Sequence, residues 1–189
     1  MKPEELKELV AILNPDRCAP PLSLSLSPTH PSSLPPTALP LPFFPPSRSI
    51  PGKLVLITRY GAAKVASMLP AHIAAVKESG VPVVWQCDGV HGNTVSATAA
   101  VAKGLKTRDL DNIVAECTTA LKVHAEAGTV LGGVHLELTG QKGVTECVGG
   151  ACGVTEEDLP KCYETYCDPR LNYGQAIEAA FDIGDAVKA

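Results

Sequence analysis

The chain has 189 residues, a formal net charge of -4 at pH 7 and a pI near 5.7, which is room for one domain with a real core and no argument for two. Its 16 basic residues are scattered rather than clustered, which excludes nucleic acid as the main partner, because phosphate binding needs grouped Lys and Arg. Every apolar run is broken by charge, Gly or Pro well short of the ~20 residues that span a bilayer, so no membrane partner is expected and the chain reads as soluble.

The opening MKPEELKELVAILNP is not an export signal, because Glu4, Glu5 and Glu8 stand where a basic region and an unbroken apolar stretch are required. Leu6, Leu9, Val10 and Leu13 recur at helical spacing and Pro15 stops the run, which predicts an amphipathic helix within residues 1–18. Seven cysteines are an odd number, and without an export signal they read as reduced thiols in an intracellular compartment. From Pro20 to Pro51 the chain holds 11 of its 17 prolines, one formal charge (Arg48), and no acidic residue or glycine. That density removes backbone donors and blocks helix, so residues 19–52 are predicted to be a disordered insertion. Its PxxP-like spacings also suit aromatic-lined grooves, but no flanking basic residues repeat through it. A translated intron would carry the same composition.

Regular alternation follows from residue 53. KLVLITRYG is an apolar run ending on Thr58 and Arg59, and Ala63 to Lys77 is helical through Val65, Leu69, Ile73 and Val76. VPVVWQCDG, β-branched and aromatic without polar alternation, suits a strand covered on both faces of a parallel sheet. A polar loop, HGNTVSATAAVAKGLKTR, leads into a helix from Asp109 to Glu126 with Leu110, Ile113, Val114, Cys117 and Leu121 on one stripe. GGVHLELTG is a third strand, and a Gly- and Cys-rich loop precedes a last helix, Asn172 to Val187. Three strand–helix units in series predict a parallel α/β architecture over residues 53–189.

Each strand run ends on polar chemistry: Arg59 after the first, Asp88, His91 and Asn93 at the second, Glu137 with Thr139 at the third, then Asp168 in CDPRLN. In a (β/α)-barrel such positions share one face. His91, Glu137 and Asp168 together offer one nitrogen and two carboxylates, a donor set for Mn²⁺, Fe²⁺, Co²⁺ or Zn²⁺, and Arg59 brings a planar cation for phosphate or carboxylate. Taken singly, each has a plain explanation as a loop, cap or ion-pair residue. Cys147, Cys152, Cys162 and Cys167, spaced C-x4-C-x9-C-x4-C, leave a structural zinc module as an alternative, although zinc pairs prefer about two to four intervening residues.

LITRYGA, VVWQCDGVHGNT, GLKTR, GGVHLELTGQ, VTECVGG and CDPRLN, in that order, resemble the carboxyl-terminal part of the class II (plant-type) 3-deoxy-D-arabino-heptulosonate 7-phosphate synthases. The resemblance covers residues 1–18 and 53–189 and implies the last three units or so of a (β/α)8 TIM-type barrel. It implies a transferase that condenses phosphoenolpyruvate with erythrose 4-phosphate in the first step of the shikimate pathway, toward chorismate and aromatic amino acids. His91, Glu137 and Asp168 are then implied metal ligands at the catalytic centre, for Mn²⁺ first and Co²⁺ or Zn²⁺ next, and Arg59 the ligand of the phosphoenolpyruvate phosphate. Lys106 and Arg108 are further candidate substrate contacts, against the plain reading of a solvated loop before a helix. The family's fourth metal ligand is a cysteine in an earlier strand motif that none of the seven cysteines matches. Gly89 and Val90 replace the family's usual Pro-Met pair, and the Pro-rich segment replaces a short helix-to-strand loop. A homo-oligomer of the complete enzyme, a plastid location in a plant or alga and a cytoplasmic one elsewhere are compatible with the family. A non-catalytic remnant remains the alternative, and this chain alone is expected to be inactive.

Overall fold

The structure, a computed structural model, describes residues 1–14 and 50–188. The segment expected to be an insertion lies outside the described residues apart from Ile50, Pro51 and Gly52, which lead into a turn.

Helix α1 spans Pro3–Leu13. Pro3 sits in the first turn, where a missing N–H costs nothing, and Glu4 and Glu5 face the positive end of the helix. Glu5 also accepts the Lys2 N–H at 2.9 Å. Leu6 and Val10 are buried, whereas Leu13 is exposed, so the inward stripe is narrower than the leucine spacing suggests. The helix ends at Asn14, whose amide brackets Ile50: Nδ2 donates to the Ile50 carbonyl at 3.0 Å and Oδ1 accepts the Ile50 N–H at 2.9 Å.

Three strand–helix units follow. Strand β1 (Val55–Thr58) leads to α2 (Ala62–Ser79). Strand β2 (Val84–Asp88) leads through two 3-10 turns and a short antiparallel pair, β3 (Val95–Ser96) and β4 (Lys106–Thr107), to α3 (Leu110–Glu126). Strand β5 (Leu131–His135) leads through a long irregular stretch to α4 (Tyr173–Lys188). β1, β2 and β5 form one parallel sheet in that order, with Thr58 opposite Cys87 and Asp88 opposite His135. All three strands therefore finish at the same edge.

Helix α2 carries Pro70 in its interior, which removes one helical hydrogen bond at a cost of about 3 kcal/mol. Val65, Leu69, Ile73 and Val76 are all buried, and at about 1.5–3 kcal/mol for each such side chain their packing outweighs the break. Helix α3 starts on Asp109, which accepts the Asp111 N–H at 2.9 Å as an N-cap. The helices pack in chain order, α1 on α2, α2 on α3 and α3 on α4, over the sheet face that presents Trp85 and Cys87 to their core. The opposite face carries Val55, Ile57 and Val84, which are 45%, 56% and 38% exposed. The unbroken β-branched runs predict strands covered on both faces, and among the described residues only the helical side is covered. The six cysteines of the described residues are free thiols. No described helix is long and apolar enough to cross a membrane.

Candidate metal centre at the strand ends

Asp88, the last residue of β2, shapes the turn that follows. Its Oδ1 accepts the N–H groups of Val90 and His91, each at 3.1 Å, and its Oδ2 lies 2.6 Å from His91 Nδ1. Burial alone would raise this carboxyl, but the two backbone donors and the His91 ring hold it below the usual range. A carboxylate only accepts, so hydrogen bonding places an N–H on Nδ1 and turns Nε2 toward the other two carboxylates. That nitrogen lies 3.2 Å from Glu137 Oε1 and 4.0 Å from Asp168 Oδ2. The donor atoms of His91, Glu137 and Asp168 all fall within 4.8 Å of one another. Lone pairs from an imidazole and two carboxylates turned toward one point fit a divalent cation.

The surroundings are strongly polar. Lys106 Nζ donates to Asp168 Oδ1 at 2.9 Å, and this bond holds the Asp168 carboxyl below its ordinary value. Arg108 NH1 pairs with Glu137 Oε2. His135, opposite Asp88 in the sheet register, stacks on His91 with ring centroids 5.9 Å apart, so Asp88, His91 and His135 form a second compact donor group. Arg59 follows β1 at the same sheet edge, is exposed, and pairs with no carboxylate among the described residues.

Glycines and two buried carboxylates hold these pieces in place. A Cβ on Gly92 would meet Gly61 N at 2.4 Å, and one on Gly61 would meet Gly92 O at 2.6 Å, so the turns after β1 and β2 touch only because both residues lack side chains. Glu116 of α3 accepts the N–H groups of Tyr60 and Gly61 at 2.8 and 2.9 Å and the Asn93 amide at 2.8 Å. Burial raises its carboxyl above the usual range against those three donors. Glu146 is fully buried and clamps the segment carrying Asp168. It accepts the backbone N–H groups of Glu164, Thr165 and Arg170, and the Arg170 guanidinium at 3.0 and 2.7 Å.

The structure brings together His91, Glu137 and Asp168, and places Arg59 at the same edge. It corrects three readings of neighbouring residues. Asn93 is a buried strut between the Ala62 N–H, the Gly89 carbonyl and Glu116 rather than a ligand. Arg108 is 0% exposed, neither a solvated loop residue nor an open substrate contact, whereas Lys106 is exposed and pairs with Asp168. The four cysteines of the zinc alternative do not converge: Cys147 is buried in an apolar cluster while Cys152 and Cys167 are exposed. Neither donor group found among the described residues includes a cysteine. Glu116, Glu146 and the buried role of Arg108 are missed from sequence. A signal for Glu116 was present, since it falls on the Ile113–Cys117–Ala120 stripe that faces inward. The departure at Gly89 also has a partner, because a Cβ there would lie 2.6 Å from Cys117 Sγ.

Comparison with known proteins gives a consistent result. Residues 41–184 match the family described as the Class-II DAHP synthetase family. The chain is 49% identical to the phospho-2-dehydro-3-deoxyheptonate aldolase of Neurospora crassa over 168 residues, which cover 87% of this chain and 33% of that protein. It is 46% identical over 138 residues to phospho-2-dehydro-3-deoxyheptonate aldolase AroG of Mycolicibacterium smegmatis, covering 73% of the chain and 29% of the relative. With the Streptomyces coelicolor protein of the same name it shares 44% identity over 135 residues, covering 71% and 29%. The chain thus spans about a third of the length of these relatives.

Proposed function

The chain belongs to the Class-II DAHP synthetase family, and on that premise we propose that it supplies the metal-binding and phosphate-binding strand ends of a 3-deoxy-D-arabino-heptulosonate 7-phosphate synthase. The reaction is the condensation of phosphoenolpyruvate with erythrose 4-phosphate that opens the shikimate pathway. The three parallel units with helices on one face, the exposed apolar residues on the other and the free edges of β1 and β5 support their reading as part of a (β/α)8 barrel.

One observation carries the reading: an imidazole from the turn after β2 and two carboxylates from the stretch between β5 and α4 meet within 4.8 Å. A divalent cation held by His91, Glu137 and Asp168, Mn²⁺ first among the candidates, would supply a Lewis acid for the aldehyde oxygen of erythrose 4-phosphate. The chain's own residues prepare that centre. Asp88 fixes the His91 tautomer and ring plane. Arg59, planar and without a carboxylate partner among the described residues, suits bidentate contact with the phosphate of phosphoenolpyruvate. Lys106 compensates Asp168 where a doubly charged substrate must approach carboxylates. The fourth ligand and further cations belong to the remaining barrel units of the complete enzyme.

A chimera in which this chain replaces the matched stretch of the Neurospora crassa relative tests the proposal. It should form product from both substrates with Mn²⁺, lose activity on chelation and lose it in the His91→Ala variant. A folded chimera without turnover, or turnover indifferent to thorough metal removal, would refute it.

A further inference from the structure

We propose that Arg108 is the positioning residue of this centre, a buried guanidinium that sets the spacing of the three ligand-bearing segments without touching metal or substrate. The inference rests on the reading of His91, Glu137 and Asp168 as metal ligands.

Arg108 follows β4 and is 0% exposed. Its Nε donates to Thr94 Oγ1 at 2.8 Å, in the turn that carries His91. Its NH1 donates to Glu137 Oε2 and to the carbonyl of Pro169 at 2.6 Å, the residue after Asp168. One rigid plane therefore contacts all three segments: Glu137 itself, Pro169 directly after Asp168, and Thr94 three residues after His91. Glu137 is divided between two neighbours: Oε2 takes Arg108 while Oε1 faces His91 Nε2. That division fixes the carboxylate plane as well as its position.

Backbone pairing holds the base of the arginine. The Arg108 carbonyl accepts the Val148 N–H at 2.9 Å, and Thr107 Oγ1 donates to the Glu146 carbonyl at 2.9 Å. The NH2 group is buried with no hydrogen-bond partner among the described residues. Stability alone gives a poor reason for such a residue, since a buried cation with an unmet donor carries a desolvation cost that an apolar side chain would avoid. Geometry gives a better one. A lysine keeps the charge, but its ammonium is a single point on a flexible stem and does not span Thr94, Glu137 and Pro169 with fixed donor angles. Lys106 makes a useful contrast: it reaches Asp168 alone, from an exposed side chain.

Titration of the 189-residue chain with Co²⁺ tests the assignment, because the visible d–d absorption reports coordination geometry as well as affinity. The wild-type chain should give a spectrum that His91→Ala abolishes. Arg108→Lys, checked for native far-UV circular dichroism, should bind at least about tenfold more weakly, in the range found for lost outer partners of metal ligands, and with an altered spectrum. Thr94→Val removes only the Nε contact and should give a smaller loss with a shifted band. Arg108→Met should bind more weakly than Arg108→Lys, the lysine recovering part of the effect. Wild-type affinity and spectrum in folded Arg108→Lys and in Thr94→Val would overturn the proposal. If Arg108→Lys does not fold, an unchanged spectrum in Thr94→Val overturns it alone. A wild-type chain without a His91-dependent spectrum would overturn the metal reading, and the positioning role with it.

Discussion

Glu116 fastens two turns of the centre from inside a helix. Its Oε1 takes two backbone N–H groups and its Oε2 takes the Asn93 amide, whose own oxygen is engaged by the Ala62 N–H. Glu116→Gln sets an NH2 group against the Asn93 NH2, and turning Asn93 over would break its bonds to Ala62 and Gly89. The variant should lose about 1–3 kcal/mol, the cost of leaving a buried polar group unmet, read as a lower urea midpoint at unchanged slope. No loss would show that the carboxylate is not the strut described. Arg59→Lys keeps charge but removes the planar fork. In the chimera it should raise KM for phosphoenolpyruvate far more than KM for erythrose 4-phosphate, and equal effects would count against Arg59 as its phosphate ligand. Among single residues, the three that meet were legible because His91 and Glu137 follow strand runs and Asp168 stands in a recognisable motif before the last helix. Arg108 and Glu146 were not, because a charged residue before a helix or in a loop looks solvated until the fold closes around it.

At the scale of elements, Glu146 pins the segment from Glu164 to Arg170. Burial alone would raise its carboxyl, but Arg170 and the backbone donors of Arg170 and Glu164 hold it below its ordinary value. A carboxyl depressed in the fold binds protons more readily when unfolded, so its contribution is present above about pH 4.3 and is lost as pH falls through the folded-state value. The wild-type chain should therefore lose more stability than Glu146→Gln as pH is lowered from neutrality through that window. At neutral pH the variant should be less stable by about 1–3 kcal/mol, since an amide cannot accept all the backbone and guanidinium donors that meet the buried carboxylate, while the partly exposed Arg170 stays open to water. Parallel unfolding curves across the window would contradict this. The bracket between Asn14 and Ile50 bears on the proline-rich segment between them. Replacing residues 15–49 by about four Gly and Ser residues shortens the connection about eightfold, which at about 0.6 kcal/mol per halving should stabilise the chain by about 2 kcal/mol. Loss of cooperative unfolding would show that the segment is part of the core. Element types followed the hydrophobic periods closely. Strand ends did not: β5 stops at His135, before Glu137, because the chain must leave the ladder to turn that carboxylate toward His91.

At the scale of the molecule, the parallel order of β1, β2 and β5 was legible from three strand–helix units in series, and the open sheet face follows from the expectation of only about three units of a barrel. Val55, Ile57 and Val84 have the composition of residues covered on both sides, and the chain spans about a third of relatives that would supply the cover. At about 25 cal/mol per Å² of apolar surface, an uncovered face and two free parallel edges leave much of the burial term unused. The chain alone should fall below the ~5–15 kcal/mol of intact domains and show no turnover with both substrates. The convergence of His91, Glu137 and Asp168 on one cation is tested most directly by adding Mn²⁺ to the isotopically labelled chain and following paramagnetic broadening residue by residue. His91, Glu137 and Asp168 should broaden together at the lowest metal concentrations, with Cys152 and Cys162 unaffected and the effect lost in His91→Ala. Broadening centred on the cysteines, or absent from any one of these three residues, would contradict a shared metal centre.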